Sequence, residues 1–279
     1  MSSAQKYPAP AKLNLTLRVT GRRADGYHLL QTVFRFIDFS DTLEFRVRAD
    51  GVVARQHDLA GVPDSDDLTL RAARLLQEAG GVREGADIVL EKRLPMGGGL
   101  GGGSSDAATT LIVLNRLWRL NWSRARLQQL ALELGADVPV FVFGESAVGE
   151  GVGEALRPLD LSPAWYVVLI PPVEIATARI FQDADLIRDS IPTKIPPFSA
   201  SSGANDLEPV VCRLYPVVAD YLAWLKQFGS ARMTGSGACV FAEFEREAAA
   251  REVLAQLPAT MRGVVAEGLA FHPLREMCV

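Results

Sequence analysis

Residues 86–118 read ADIVLEKRLPMGGGLGGGSSDAATTLIVLNRLW. The first six form an apolar run of strand length, and 105–119 carries Ala108, Leu111, Ile112, Leu117 and Trp118 at helical spacing. Between them lie six glycines within 97–103, with Leu100 as the only side chain. Glycine lets backbone amides approach a ligand closely and reaches positive φ at no steric cost. The helix behind the loop has unpaired first N–H groups, here expected at Ser104, Ser105 and Asp106. Strand, glycine loop and helix in that order predict an anion site, most simply for phosphates.

Other readings of the loop fit less well. Flexible linkers seldom separate a buried strand from an amphipathic helix. Gly97, Gly99 and Gly102 satisfy GxGxxG, but about twenty positions on, where a ribose-binding acid belongs, the chain reads LNWS (120–123). The loop also starts several residues after its strand. Gly103 stands where a Walker A lysine would be needed, and no HRD or DFG segment exists, which excludes protein-kinase chemistry.

Working outward, 11–19 (AKLNLTLRV) and 43–49 alternate in polarity and read as half-buried strands, with a turn at TGRRADGY and a further strand in LLQTVFRFIDF. A helix over 67–79 is expected to be capped by Ser65 or Asp66 and stopped by Gly80. Another, 123–134, opens at Ser123 and ends at Gly135. Pro139 should push Val138 into the extended region, leaving Asp137 on a tight corner. Beyond about residue 158 the order becomes β-α-β-β-α-β, a ferredoxin-like unit. The helices there are expected near 206–214, 217–228 and 246–256, and Thr234-Gly235-Ser236-Gly237 forms a turn between strands. The reading is therefore α+β with two domains, 1–158 and 159–279.

Composition bounds the rest. In 279 residues with 48% apolar and 22% charged side chains there is ample core, and a net charge of −4 offers no footprint for nucleic acid. Cys212, Cys239 and Cys278 form no CxxC pair and leave an odd count, which points to a reducing, cytoplasmic setting. No run of about eighteen apolar residues suggests a membrane span. Only five basic residues are lysine, at 6, 12, 92, 194 and 226.

Five segments carry a resemblance: PAKLNL (10–15), RADGYH (23–28), KRLPMGGGLGGGSS (92–105), LGADVPVF (134–141) and TGSGACVF (234–241). Together they resemble the GHMP kinases, and within them the branch acting on 4-(cytidine 5′-diphospho)-2-C-methyl-D-erythritol in the non-mevalonate route to isoprenoid precursors. The resemblance implies an N-terminal domain like ribosomal protein S5 domain 2 and a ferredoxin-like C-terminal domain. It implies ATP as co-substrate with Mg²⁺, and a small-molecule acceptor. The chain would act as a monomer or homodimer.

The same resemblance assigns residues. Asp137 is expected to take the acceptor's proton, and Lys12 to lie beside it, lowering its pKa or supplying positive charge to the moving phosphoryl group. A carboxylate merely ending a helix would meet the negative pole of the dipole, which favours the functional reading of Asp137. Pro95, Met96, Gly97, Gly98, Gly99, Leu100, Gly101, Gly102, Gly103, Ser104 and Ser105 are expected around ATP, with Lys92 and Asp67 near the adenine. Asp67 and Asp106 stand where the family commonly has asparagine, and a charge at 67 is expected to alter the adenine contact. Asn14, Tyr27, His28, Thr177, Phe181, Gly235, Ser236 and Gly237 are expected on the substrate side. Tyr27, His28 and Phe181 would hold a cytosine by stacking and hydrogen bonding. Ser104 and Ser105 are weak candidates for magnesium, and no protein ligand is assigned. The alternatives are a kinase for another small alcohol, such as mevalonate or homoserine, and a non-catalytic nucleotide-binding module.

Overall fold

Two long antiparallel strands organise the molecule, β1 (Tyr7–Arg22) and β2 (His28–Arg48). The structure is a computed structural model that describes residues 5–59, 61–195 and 203–277. The segments read separately as LLQTVFRFIDF and 43–49 lie on one strand, whose ladder with β1 passes an irregularity at Asp38–Phe39 and resumes with Ser40 opposite Pro10. Nor is β1 half-buried. Its apolar face (Leu13, Leu15, Leu17, Val19) enters the core, and its polar face (Lys12, Asn14, Thr16) is buried too. Alternation here separates core from cleft rather than core from water.

The remaining elements wrap this hairpin. Beside β2 lie β4 (Gly85–Glu91) with β3 (Val53–Arg55), and also β5 (Ala147–Glu150) with β6 (Ala155–Pro158). Helices α1 (Leu68–Gly80), α2 (Gly102–Leu117), α3 (Arg124–Leu132) and α4 (Val138–Phe143) complete the first half. Phe34, Phe36 and Leu43 of β2 form one core with apolar residues of all four helices.

Local chemistry sets the helix ends. Asp67, not Ser65 or Asp66, caps α1 by accepting from the amides of Thr69 and Leu70. Gly81, one residue later than expected, ends it in the left-handed conformation at φ 61°. Ser123 caps α3 through the amide of Arg126. Val138 is not extended. It opens α4, because proline is accepted in a helix's first turn.

After a connection over 159–164, β7 (Trp165–Leu169) begins the second half. There follow α5 (Thr177–Gln182), α6 (Glu208–Leu214), α7 (Pro216–Leu225), β8 (Ala231–Met233), β9 (Val240–Phe244), α8 (Glu247–Leu254) and β10 (Gly263–Leu269). The order β10-β7-β9-β8, antiparallel throughout, is the ferredoxin-like arrangement. Two residue pairs, Gly268 with Ile37 and Leu269 with Phe36, join β10 to β2, so both halves share one sheet. Buried Arg35 reinforces the seam, donating to the carbonyls of Gly268 (2.8 Å) and Leu161 (3.2 Å). A Cβ at Gly268 would lie 2.7 Å from the Arg35 side chain, so only glycine admits this contact. Among the described residues no helix is long and apolar enough to cross a membrane.

Candidate active site

The edge of β1 that faces away from β2 is not left to solvent. The Lys12 amide donates to Leu100 O (2.9 Å), the Asn14 amide to Thr234 Oγ1 (2.9 Å) and the Leu17 amide to Ala204 O (2.8 Å). Irregularities at Pro10/Ala11 and Asn14/Thr16 bracket the stretch and re-aim its side chains. An exposed strand edge is thereby covered by the glycine loop and the later TGSG turn.

Lys12 emerges from this edge almost wholly buried, at 2% exposure. Its Nζ lies 2.5 Å from Asn14 Oδ1, 3.1 Å from Gly99 O and 3.2 Å from Asp137 Oδ2. Asn14 in turn donates through Nδ2 to Thr32 Oγ1 at 2.8 Å. Asn14, expected against substrate, lines the cleft and also holds Lys12 in place through its Oδ1. Asp137 stands at the N-cap of α4 but makes no capping bond, and its side chain is 40% exposed. The carboxylate thus has a fixed cation on one side and open cleft on the other.

The glycine loop and the TGSG turn are bonded to each other. Ala238 N–H donates to Gly97 O (3.2 Å) and Cys239 N–H to Gly98 O (3.0 Å). Gly97, Gly99 and Gly101 all have positive φ. A Cβ on Gly99 would lie 2.2 Å from Thr234 O, and one on Gly101 would lie 2.9 Å from the Phe141 ring and 3.1 Å from Lys12 Cε. Asn205 fixes the far side of the turn, donating to Met233 O and Gly235 O.

Helix α2 starts at Gly102, three residues before its expected start, so Gly102 and Gly103 belong to it. Its first turn closes with Ser105 N–H on Gly101 O (2.8 Å), which leaves the amides of Gly102, Gly103 and Ser104 without carbonyl partners. The amides expected to be free at Ser104, Ser105 and Asp106 are thus replaced by a set two residues earlier, at Gly102, Gly103 and Ser104. Three other expectations shift as well. Leu100 is buried in the core between the two halves, Ser105 is wholly buried, and Gly237 packs against Met233 and Ile175 instead of lining the cleft.

Lys92 is drawn inward to Asp41 and, at 2.8 Å, to Asp106. Asp41 also accepts from the amides of Arg93 and Leu94. Burial pushes the Asp106 carboxyl up to about 7 against the opposing charge of Lys92, and its Oδ1 is buried with no partner. Burial works against the charge on Lys92, but Asp106 and Asp41 outweigh it and hold its ammonium above the usual range. Asp67 is likewise spoken for. One oxygen caps α1 and the other pairs with Arg55, so its charge is neutralised inside the protein. The expected disturbance of an adenine by a free charge at 67 has no basis in this arrangement.

These groups line one cleft of about 540 Å³, which takes in Lys12, Asp67, Lys92, Pro95, Met96, the glycine loop, Ser104, Asp137, Gly235 and Ser236. A second cavity of about 550 Å³ opens from it and is lined by Tyr27, His28, Thr177, Phe181 and Arg188. Ala136, Val152, Thr177 and Phe181 border both. Thr177 and Ser236 meet through their hydroxyls at 2.7 Å. His28 stacks on Phe181, with centroids 4.9 Å apart and planes at 30°, while Tyr27 is 63% exposed. A base therefore cannot lie between His28 and Phe181 as the two now stand. Sequence reasoning missed Asp41, Thr234 and Arg188, whose partners are mostly backbone atoms.

A cleft with a buried lysine beside an open carboxylate and unpaired amides at a helix start is an arrangement suited to phosphoryl transfer. The models for the GHMP kinases N terminal domain and the GHMP kinases C terminal domain match residues 67–145 and 197–263, and the chain belongs to the GHMP kinases. It is 62% identical over 271 residues to the 4-diphosphocytidyl-2-C-methyl-D-erythritol kinase of Thiobacillus denitrificans, covering 97% of this chain and 98% of that one. Its identity to the enzyme of that name from Nitrosospira multiformis is 61%, over 96% and 92% of the two chains. A crystal structure of 4-(cytidine 5′-diphospho)-2C-methyl-D-erythritol kinase superposes with TM-score 0.82 at 34% identity, over 95% of this chain and 99% of that one. A homoserine kinase from Cytophaga hutchinsonii reaches 0.67 at 17% identity, over 98% and 96%, a likeness of fold alone. Within the GHMP kinases, the chain belongs to the 4-diphosphocytidyl-2-C-methyl-D-erythritol kinases.

Proposed function

We propose that the chain transfers the γ-phosphoryl group of ATP to the 2-hydroxyl of 4-(cytidine 5′-diphospho)-2-C-methyl-D-erythritol, the compound that its relatives' names carry. The observation that carries the chemistry is the Lys12–Asp137 contact of 3.2 Å in the first cavity, next in the chain to Ala136, which borders both cavities. ATP phosphates would lie against the amides of Gly102, Gly103 and Ser104, where the start of α2 favours anions. The acceptor would enter from the second cavity, whose aromatic walls suit a planar base.

In this reading the 2-hydroxyl oxygen attacks the γ-phosphorus in line while its proton passes to the Asp137 carboxylate, and ADP leaves. Lys12, fixed by Asn14 and Gly99 O, neutralises charge on the moving phosphoryl group. Its position is set before substrate arrives, so no reorganisation is needed at the moment of transfer. Among the described residues no cluster of three or more His, Cys, Asp or Glu side chains is placed to hold a metal. Magnesium would ride on the phosphates with most of its waters, and no step is assigned to it.

The test is coupled ADP release from ATP with the cytidine diphosphate substrate, beside mevalonate and homoserine. Only the cytidine compound is expected to support turnover. Asp137→Asn should keep ATP affinity within a few-fold and lower turnover by about 10²–10⁴. Near-normal turnover would remove Asp137 from its role.

A further inference from the structure

Arg188 follows α5 and lies at the wall of the second cavity, outside every motif that defines the family resemblance. Its guanidinium is held by three carbonyls: Leu186 O (3.0 Å), Phe181 O (3.0 Å) and Asp183 O (2.6 Å). Of the two N–H donors left, Nε–H points at His28 Nε2 from 3.1 Å. A guanidinium only donates, and it does not give up its proton in a protein. His28 Nε2 must therefore present its lone pair, which leaves the single proton of the neutral ring on Nδ1. Nδ1 has no protein partner among the described residues, and the ring lines the cavity while stacked on Phe181.

We propose that Arg188 is a positioning residue that locks His28 as an N–H donor toward the ligand, so that the cavity selects cytosine over uracil. The inference rests on the functional reading above, which places a cytidine nucleotide in this cavity. Cytosine offers an acceptor at N3 where uracil carries a proton, while both bases share the carbonyl at C2, so the discriminating bond is Nδ1–H to N3. A base bonded edge-on to Nδ1–H lies in the imidazole's own layer, beside Phe181 and not between the two rings. Cytosine then gains a hydrogen bond, while uracil sets donor against donor and leaves a desolvated N–H unpaired. Without Arg188 the imidazole could move its proton to Nε2 and offer an acceptor instead.

The first measurement is ¹⁵N NMR of the imidazoles in the full chain without substrate. Only three histidines occur, at 28, 57 and 272. His272 supplies an internal contrast, because its Nδ1 accepts from the Leu274 amide at 3.1 Å and its proton must sit on Nε2. The expected result is opposite tautomers for His28 and His272, with Arg188→Met admitting the Nε2–H form at His28. A protonated Nε2 on His28 in the parent protein would overturn the proposal.

The second measurement is kcat/KM for the cytidine substrate and for its uridine counterpart. The parent should favour cytidine by about 10²-fold or more, and Arg188→Met should lose about tenfold of that preference, chiefly through KM for cytidine. Arg188→Lys keeps the charge without the fork and should rescue little. If both substrates weaken equally, Arg188 merely braces the loop and the proposal fails. Turnover of neither nucleotide by the parent protein would overturn the functional reading itself, a failure visible before any substitution is made.

Discussion

Gly99→Ala probes whether the two phosphate-side loops act as one body. Gly99 sits at φ 75°, where an L-residue costs about 1–2 kcal/mol. The new methyl carbon would lie 2.2 Å from Thr234 O, so that carbonyl must retreat by roughly 1 Å, an overpacking penalty of about 1–3 kcal/mol. The combined range is about 2–5 kcal/mol with its middle near 3.5, which in a chain of this size lowers the melting temperature by about 7–14 °C. Retreat of the turn also strains the Cys239–Gly98 and Ala238–Gly97 bonds and shifts Gly99 O away from Lys12. Thermal melts and ATP titration should therefore fall together. Gly103→Ala is the control, since it lies in α2 with Leu68 Cδ1 at 3.6 Å as its nearest neighbour and should be neutral or stabilising by up to about 1 kcal/mol. If Gly99→Ala melts within about 2 °C of the parent, the loops are not welded as described.

Lys12→Met removes the cation but keeps the stem's bulk, and should lower kcat by about 10²–10³ while ATP still binds; a loss under about fivefold would assign the charge elsewhere. Asp106→Asn tests the buried carboxylates. The Asp106 carboxyl holds its proton to about pH 7 in the fold, against an ordinary 3.8, so the folded chain binds the extra proton and its stability falls as pH rises from about 4 to about 7. Asparagine cannot ionise, so the melting-temperature difference should move in the variant's favour across that interval. A difference that stays constant with pH would show that Asp106 is already ionised throughout.

Much of this was legible in the residues, for identifiable reasons. Glycine runs and amphipathic periods are local signals, so α1, α2, α3 and the ferredoxin-like order of the second half could be read directly. Alternation along β1 was visible, but not that its polar face is buried, because the covering loops come from residues about 90 and 190–220 positions later. The rule for residues preceding proline misplaced Val138, since the first turn of a helix tolerates what its interior forbids. Asp67 looked like a stray charge until Arg55 and two amides were seen to consume it. Arg188 left no trace in the pattern, for its three anchors are carbonyls that every residue possesses.

The most direct measurement is a crystal structure with a non-hydrolysable ATP analogue and the cytidine diphosphate substrate together. The terminal phosphate should lie over Gly102–Ser104, with the substrate's 2-hydroxyl between its phosphorus and the Asp137 carboxylate and Lys12 Nζ against the phosphate oxygens. A triphosphate seated in another cavity, or a carboxylate at 137 turned away from the hydroxyl, would contradict the proposed transfer.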